Sequence, residues 1–228
     1  MSKYGFVKIA RDIKAAVGKI NEPTAQSVVE LPDSPLGKFV LDYATKELPE
    51  KVLLHSLRVY QYSLAIINDH FDKWALDREV LFVTCLLHDI GTTEKNMKAT
   101  KMSFEFYGGL ISRDLILEHT NGNQDYAEAV AEAVIRHQDL GESGFITTLG
   151  LILQISTILD NVGLNTDLIH PDTLAAVNKK YPRQGWLNCF ADAIDNENSK
   201  KPWGHTSSLG VPDFRNNVLA NKVKYEKL

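Results

Sequence analysis

Residues 147–159 read TTLGLILQISTIL, and how this stretch is read decides the fold. Its threonine and isoleucine content suits a strand, whereas its long apolar run suits a buried helix. A strand needs a partner, and no other segment offers a matching run, so the stretch is read as a buried helix. Outward from it, helical signals recur. Leu53, Leu57, Tyr60, Leu64 and Ile67 return at steps of three and four, one face of a helix, with His55 off that stripe. Asp77 is a good N-cap for a helix through Val80, Phe82, Val83, Leu86 and Leu87, which is expected to stop at Gly91. Met102–His119 reads as a helix interrupted at Gly108-Gly109, Asn123–His137 as another, and Leu174–Asn178 as a short one. The fold class is all-α.

Pro23, Pro32 and Pro35 and the polar stretch Asn21–Ser27 set residues 1–35 apart as an N-terminal arm, held on the surface by Phe6, Val28, Val29 and Leu31. Residues 36–228 form one domain, with no linker-like change of composition, repeat or low-complexity tract through residue 220.

The chain has 228 residues, 44% hydrophobic and 24% charged, a balance that excludes disordered and fibrous classes. This length buries a core without staples, so a bound metal is expected to serve function rather than folding. The net charge of −4 lacks the basic footprint of general nucleic-acid binding. No run approaches the roughly 20 apolar residues of a membrane span, and the N-terminus carries no signal-peptide pattern. Two cysteines, Cys85 and Cys189, make no disulfide framework. A cytoplasmic protein is expected, of a size that leaves nuclear entry open.

Of seven histidines, His88 is the most informative, because Asp89 follows it at a helix end. There the 100° offset between adjacent helical positions relaxes, and an imidazole and a carboxylate can meet one point. His55 lies 33 positions upstream and Asp160 lies 71 beyond Asp89, closing the apolar run. A buried carboxylate needs a pairing or a metal. Two histidines and two aspartates suit zinc, iron(II), manganese or cobalt. Singly, each residue has an ordinary reading: a satisfied core histidine, a chance dipeptide, an Asx turn before Asn161 and Gly163.

The order His…His-Asp…Asp resembles the HD-domain superfamily of metal-dependent hydrolases. Longer blocks are similar to the fungal cyanamide hydratases: LLHSLRVYQYSLAI (53–66), CLLHDIGTTEKN (85–96), ATKMSFEFYGG (99–109), AVIRHQDL (133–140), FITTLGLILQISTILDNVG (145–163) and NSKKPWGHTSSLG (198–210). The resemblance implies an HD-type helical bundle with His55, His88, Asp89 and Asp160 as ligands of one zinc ion. It also implies a homo-oligomer, a dimer, acting on a small neutral nitrile. The implied reaction hydrates cyanamide to urea by attack of metal-bound hydroxide on the nitrile carbon, since zinc lowers the pKa of water from about 15.7 to about 7.

Within that reaction His137 is the expected proton donor, and equally a helix C-terminal cation. Thr157, three residues before Asp160, is expected to orient water or bind the amino group, or to bond back to its own helix. Asn161 and Glu105 are candidates for substrate binding. Glu105 is otherwise a surface residue or a Lys101 ion-pair partner. Lys95, Lys98 and Lys101 read as a solvated face, and Trp203–Thr206 as a wall folding back near the site. The alternative is an HD-type phosphohydrolase acting on a nucleotide or other small phosphate ester. Against it, Gly91-Thr92-Thr93 stands where many such enzymes place a phosphate-binding lysine.

Overall fold

Asp77 starts its helix as expected: the carboxylate accepts from the amides of Glu79 and Val80. The structure, a computed structural model, describes residues 3–210, 213–220 and 225–226. In chain order its helices are α1 (Ile13–Val17), α2 (Pro35–Glu47), α3 (Glu50–His70), α4 (Arg78–Leu87), α5 (Glu94–Ala99) and α6 (Phe104–His119), followed by α7 (Gln124–Arg136), α8 (Thr148–Val162), α9 (Pro171–Lys180), α10 (Trp186–Lys200) and α11 (Asp213–Ala220). The fold is all-α, with a single two-stranded ribbon among the described residues.

The ambiguous stretch is helical. Thr147 caps α8 by accepting from the Gly150 amide, and Gly163 ends it at φ 69°. Leu149, Leu151, Ile152, Leu153 and Ile155 are fully buried, and such a side chain contributes about 1.5–3 kcal/mol by leaving water. The expectation that the region has no strand partner needs correcting at its margin. Residues Phe145–Thr147 (β2) pair antiparallel with Lys8–Ala10 (β1), Ile9 opposite Ile146.

α8 lies along α3, and α4, α7 and α10 pack around this pair. The single apolar stripe expected on α3 is therefore incomplete. From His55 to Ile66 the helix is buried on every side, so His55, off the stripe, still lies inside. Val28, Val29 and Leu31 of the arm pack against the core. The Gln61 carboxamide donates to the Val29 carbonyl and accepts from its amide. Phe6, expected to help, is 45% exposed.

Two glycines do something other than expected. Gly91 does not stop a helix with a left-handed residue; it sits in the 3-10 turn Ile90–Thr92, where a Cβ would come within 2.0 Å of the Phe104 carbonyl oxygen. Nor do Gly108 and Gly109 interrupt α6. A Cβ on Gly109 would meet Ile135 at 2.5 Å, so the missing side chain lets α6 and α7 approach closely. Helix α10 was not expected, although Trp186, Leu187, Phe190, Ala191 and Ile194 recur at helical spacing. Among the described residues no helix is long and apolar enough to cross a membrane.

Candidate metal centre

His55 comes from the second turn of α3, His88 and Asp89 from the end of α4, and their ligand atoms lie within 4.8 Å of one another. The two Nε2 atoms are 3.1 Å apart. Asp89 Oδ2 is 3.2 Å from His88 Nε2 and 3.7 Å from His55 Nε2. His88 Nδ1 faces the Cys85 carbonyl at 2.7 Å and His55 Nδ1 faces Asp160 Oδ2 at 2.6 Å. Both partners only accept, so each Nδ1 carries the proton and each neutral ring turns a bare Nε2 inward. Two lone pairs and a carboxylate oxygen at such distances repel unless something positive sits among them. Burial disfavours charge on His88, but the Asp89 carboxylate outweighs it and raises the His88 pKa above its ordinary value. Two imidazole nitrogens and a carboxylate oxygen suit a borderline divalent ion.

Asp160 departs from its expected place among the ligands. Its carboxylate stands behind His55, on the Nδ1 side. Arg58 Nε and Nη2 donate to its two oxygens at 2.9 and 2.8 Å, and Arg183 Nη1 donates to Oδ1 at 2.7 Å. Burial would raise the Asp160 pKa, but the two guanidiniums hold it well below the usual carboxylate range. In this structure Asp160 orients a histidine rather than joining the three clustered ligand atoms, the arrangement often found one layer outside a metal. The face of the His55 ring is covered by Trp186, stacked at 4.2 Å and 11°. The Trp186 indole N–H donates to Asn161 Oδ1 at 2.8 Å.

His137 follows the last residue of α7, with Nδ1 donating to the Val134 carbonyl at 2.7 Å and Nε2 lying 3.6 Å from Asp89 Oδ1. It is buried, and burial lowers its pKa to about 4, so the helix-end cation reading fails. Thr157 is buried and gives its hydroxyl proton to the Gln154 carbonyl of its own helix. Glu105 is neither on the surface nor paired with Lys101. It is fully buried, with Oε1 2.6 Å from His205 Nδ1 and Oε2 without a partner, and it lines neither of the two cavities at the site. The expected role of Glu105 as a substrate contact has no geometric support.

One cavity, of about 30 Å³, is bounded by Asp89, Phe104, Gln138, Trp186, Phe190 and Thr206, among others. A second, of about 640 Å³, has His137, Thr157 and Asn161 in its wall. Thr206 brings the expected wall segment to the small cavity, where its hydroxyl bonds Glu197. Trp203 of that segment points away and is 61% exposed. Lys95 and Lys98 form surface ion pairs with Glu47 and Glu94. Sequence reasoning missed Arg58, Arg183, Trp186, Gln138 and Phe190. For Arg58 a signal existed: an arginine one turn from His55 on a helix rich in apolar residues needs a buried acid.

An all-α bundle carrying a buried histidine and a His-Asp pair at a helix end defines the HD-domain class, and residues 52–181 match the HD domain family. The chain belongs to that family, in the branch that contains cyanamide hydratases. It is 61% identical over 225 residues to "Cyanamide hydratase DDI2" and to "Cyanamide hydratase DDI3", both of Saccharomyces cerevisiae, covering 99% of this chain and all of each relative.

Proposed function

We propose that this protein hydrates cyanamide to urea, with zinc held by His55, His88 and Asp89. The observation that carries the activity is the 61% identity along the whole chain to two cyanamide hydratases. The larger cavity, of about 640 Å³, has His137, Thr157 and Asn161 in its wall, and these are the side chains placed to meet a small substrate. Arg58 and Arg183, the two arginines behind His55, are sealed against Asp160 and so are not free to meet a phosphate.

Zinc in this ligand set supplies a Lewis acid that makes water nucleophilic near neutral pH. The protein's own groups handle the protons and the substrate. With Nδ1–H donated to Val134, His137 presents a lone pair at Nε2 and accepts a proton there from the incoming water. Burial makes the resulting imidazolium more acidic than an exposed one, with its pKa lowered to about 4, which suits delivery of that proton to a weakly basic nitrile nitrogen. Asp89 Oδ1, 3.6 Å away, steadies the transient charge. Thr157 has spent its proton on Gln154, so it offers a lone pair to the substrate amino group. Asn161 has spent its carbonyl on Trp186, so its amide NH2 is the part left to meet a ligand. The same reading includes a homodimer, which light scattering on the purified protein checks, and a cytoplasmic location, which imaging of a fluorescent fusion checks.

The test is urea formation from cyanamide, with and without a chelator, beside a panel of nucleotides. Expected is urea production that chelation abolishes and zinc restores. Phosphate release without urea would overturn the reading.

A further inference from the structure

We propose that Arg11, carried by the N-terminal arm, is a positioning residue for the reaction: it clamps the turn that follows His137 and so fixes that imidazole relative to Thr157. This rests on the hydratase reading above. Arg11, Ile13 and Lys14 of the arm stand in the wall of the larger cavity together with His137 and Thr157, so the arm helps to enclose the active site. The Arg11 side chain is 11% exposed, and its guanidinium grips the segment just beyond His137. Nη2 donates to the Asp139 carbonyl at 2.7 Å and pairs with Asp139 Oδ1 at 2.7 Å, while Nη1 donates to the Ser143 carbonyl at 3.2 Å. The Arg11 amide donates to the Gly144 carbonyl at 3.2 Å. Gly141 makes room for this grip, since a Cβ there would meet the guanidinium at 3.2 Å.

The turn needs an outside hold. Helix α7 ends at Arg136, and the His137 amide reaches the Val134 carbonyl only at 3.4 Å, so the helix ladder does not lock the backbone beneath the imidazole. Two side chains supply the hold by meeting on one acceptor. The Asp139 carbonyl takes the Arg11 guanidinium and also the Gln154 carboxamide at 3.1 Å, and the same carboxamide donates to the Arg136 carbonyl at 2.7 Å. The backbone carbonyl of Gln154 in turn accepts the Thr157 hydroxyl. Thr157, Gln154, the turn at 136–139 and Arg11 therefore form one chain of hydrogen bonds, with His137 inside the turn that it holds. The arm does not need Arg11 to stay attached. Thr148 donates from its amide to the Val7 carbonyl and from its hydroxyl to the Gly5 carbonyl, and Ile9 pairs with Ile146. Attachment of the arm and clamping of the turn are thus separable.

The experiment measures kcat and KM for cyanamide in the zinc-loaded wild type, Arg11→Met and Arg11→Lys, each expressed per folded molecule. A misplacement of about 1 Å, caused by a change remote from the chemistry, costs up to about 100-fold. Arg11→Met is therefore expected to lower kcat about 10–100-fold while KM changes little, because the proton-handling group shifts and the rest of the cavity stays. Zinc affinity, read by competition with a metal-binding dye, should match the wild type, since the bonds of Arg11 go to Asp139 and Ser143 rather than to the ligands. Arg11→Lys keeps the charge beside Asp139 but loses the fork that reaches both carbonyls, so it should recover part of kcat. Arg11→Lys decides the matter if Arg11→Met does not fold: its kcat should still fall, at unchanged KM. A clamp that serves stability alone would lower the folded fraction and leave kcat per folded molecule at the wild-type value, which overturns the proposal. A rise in KM at unchanged kcat overturns it as well. A wild type inert toward cyanamide sinks the hydratase reading, and this proposal with it.

Discussion

The two nitrogens of His55 face halves of the molecule with opposite character. On the Nδ1 side, Asp160, Arg58 and Arg183 form a closed network in which both carboxylate oxygens accept and Arg183 also reaches Glu226 at 2.7 Å. On the Nε2 side, His55, His88 and Asp89 present acceptors to one another, and a small cavity lies against Asp89. Saturation behind the ring sets its tautomer and plane. Deficiency in front of it creates the demand for a cation. A buried histidine with both nitrogens satisfied would be inert, and one with neither satisfied would have no fixed orientation.

The largest effect should come from breaking the deficient half. His88→Ala and Asp89→Ala are each expected to lower urea formation on the order of a thousandfold or more while far-UV circular dichroism stays helical, because a metal held at this site would serve chemistry rather than folding. Breaking the saturated half should act first on stability. Asp160→Ala leaves the buried Arg58 guanidinium without an anion, while Arg183 keeps Glu226, and losing one side of a buried ion pair costs about 3–5 kcal/mol. Denaturant unfolding measures that loss. Competition with a zinc-binding dye should show metal affinity about 10–100-fold weaker, as for other residues that orient a metal-bound histidine.

Acid sharpens the contrast further. Burial holds the pKa of His137 down to about 4, against about 6.5 in an unfolded chain. Between these values the unfolded chain binds a proton that the folded one refuses, so stability falls as the pH drops from about 6.5 toward 4, by up to about 1.4 kcal/mol per pH unit. His55 adds a slope of the same sign. His88, raised by Asp89, opposes it, because its stabilisation is complete at low pH and is lost as pH rises through its folded pKa. The informative quantity is therefore a difference: metal-free His137→Gln should show a slope shallower by about one proton than metal-free wild type, read from urea midpoints between pH 7 and 4.5. The smallest effect is expected from Asn161→Ala. It removes one acceptor from the indole that stacks on His55, which should cost about 0.5–1.5 kcal/mol and weaken zinc binding only a few-fold.

Much of this arrangement was legible along the chain. The capping aspartate at 77, the helical spacing from Leu53 to Ile67 and the His88-Asp89 pair at a helix end all reflect local rules, where the side chain and its partner are close in sequence. The glycines were visible but misread. Gly91 and Gly109 look like breakers from their neighbours, and only Phe104 and Ile135, brought there by packing, show that they are points of contact. Glu105 looked exposed because nothing within a helical turn marks it as buried; His205, which meets it, lies 100 residues away.

The residue order alone determined the all-α class, the family likeness and the four side chains His55, His88, Asp89 and Asp160 as a candidate metal set. Only the tertiary structure decided that Asp160 stands behind His55, that Trp186 plates its ring and that Phe190 lines two cavities. The physical reason is that a ligand's identity belongs to its residue type, whereas its direction depends on which distant helices take up its other polar atoms. For His55 that partner is Asp160 of α8, 105 positions away in sequence and itself held by Arg183, 128 positions away from His55.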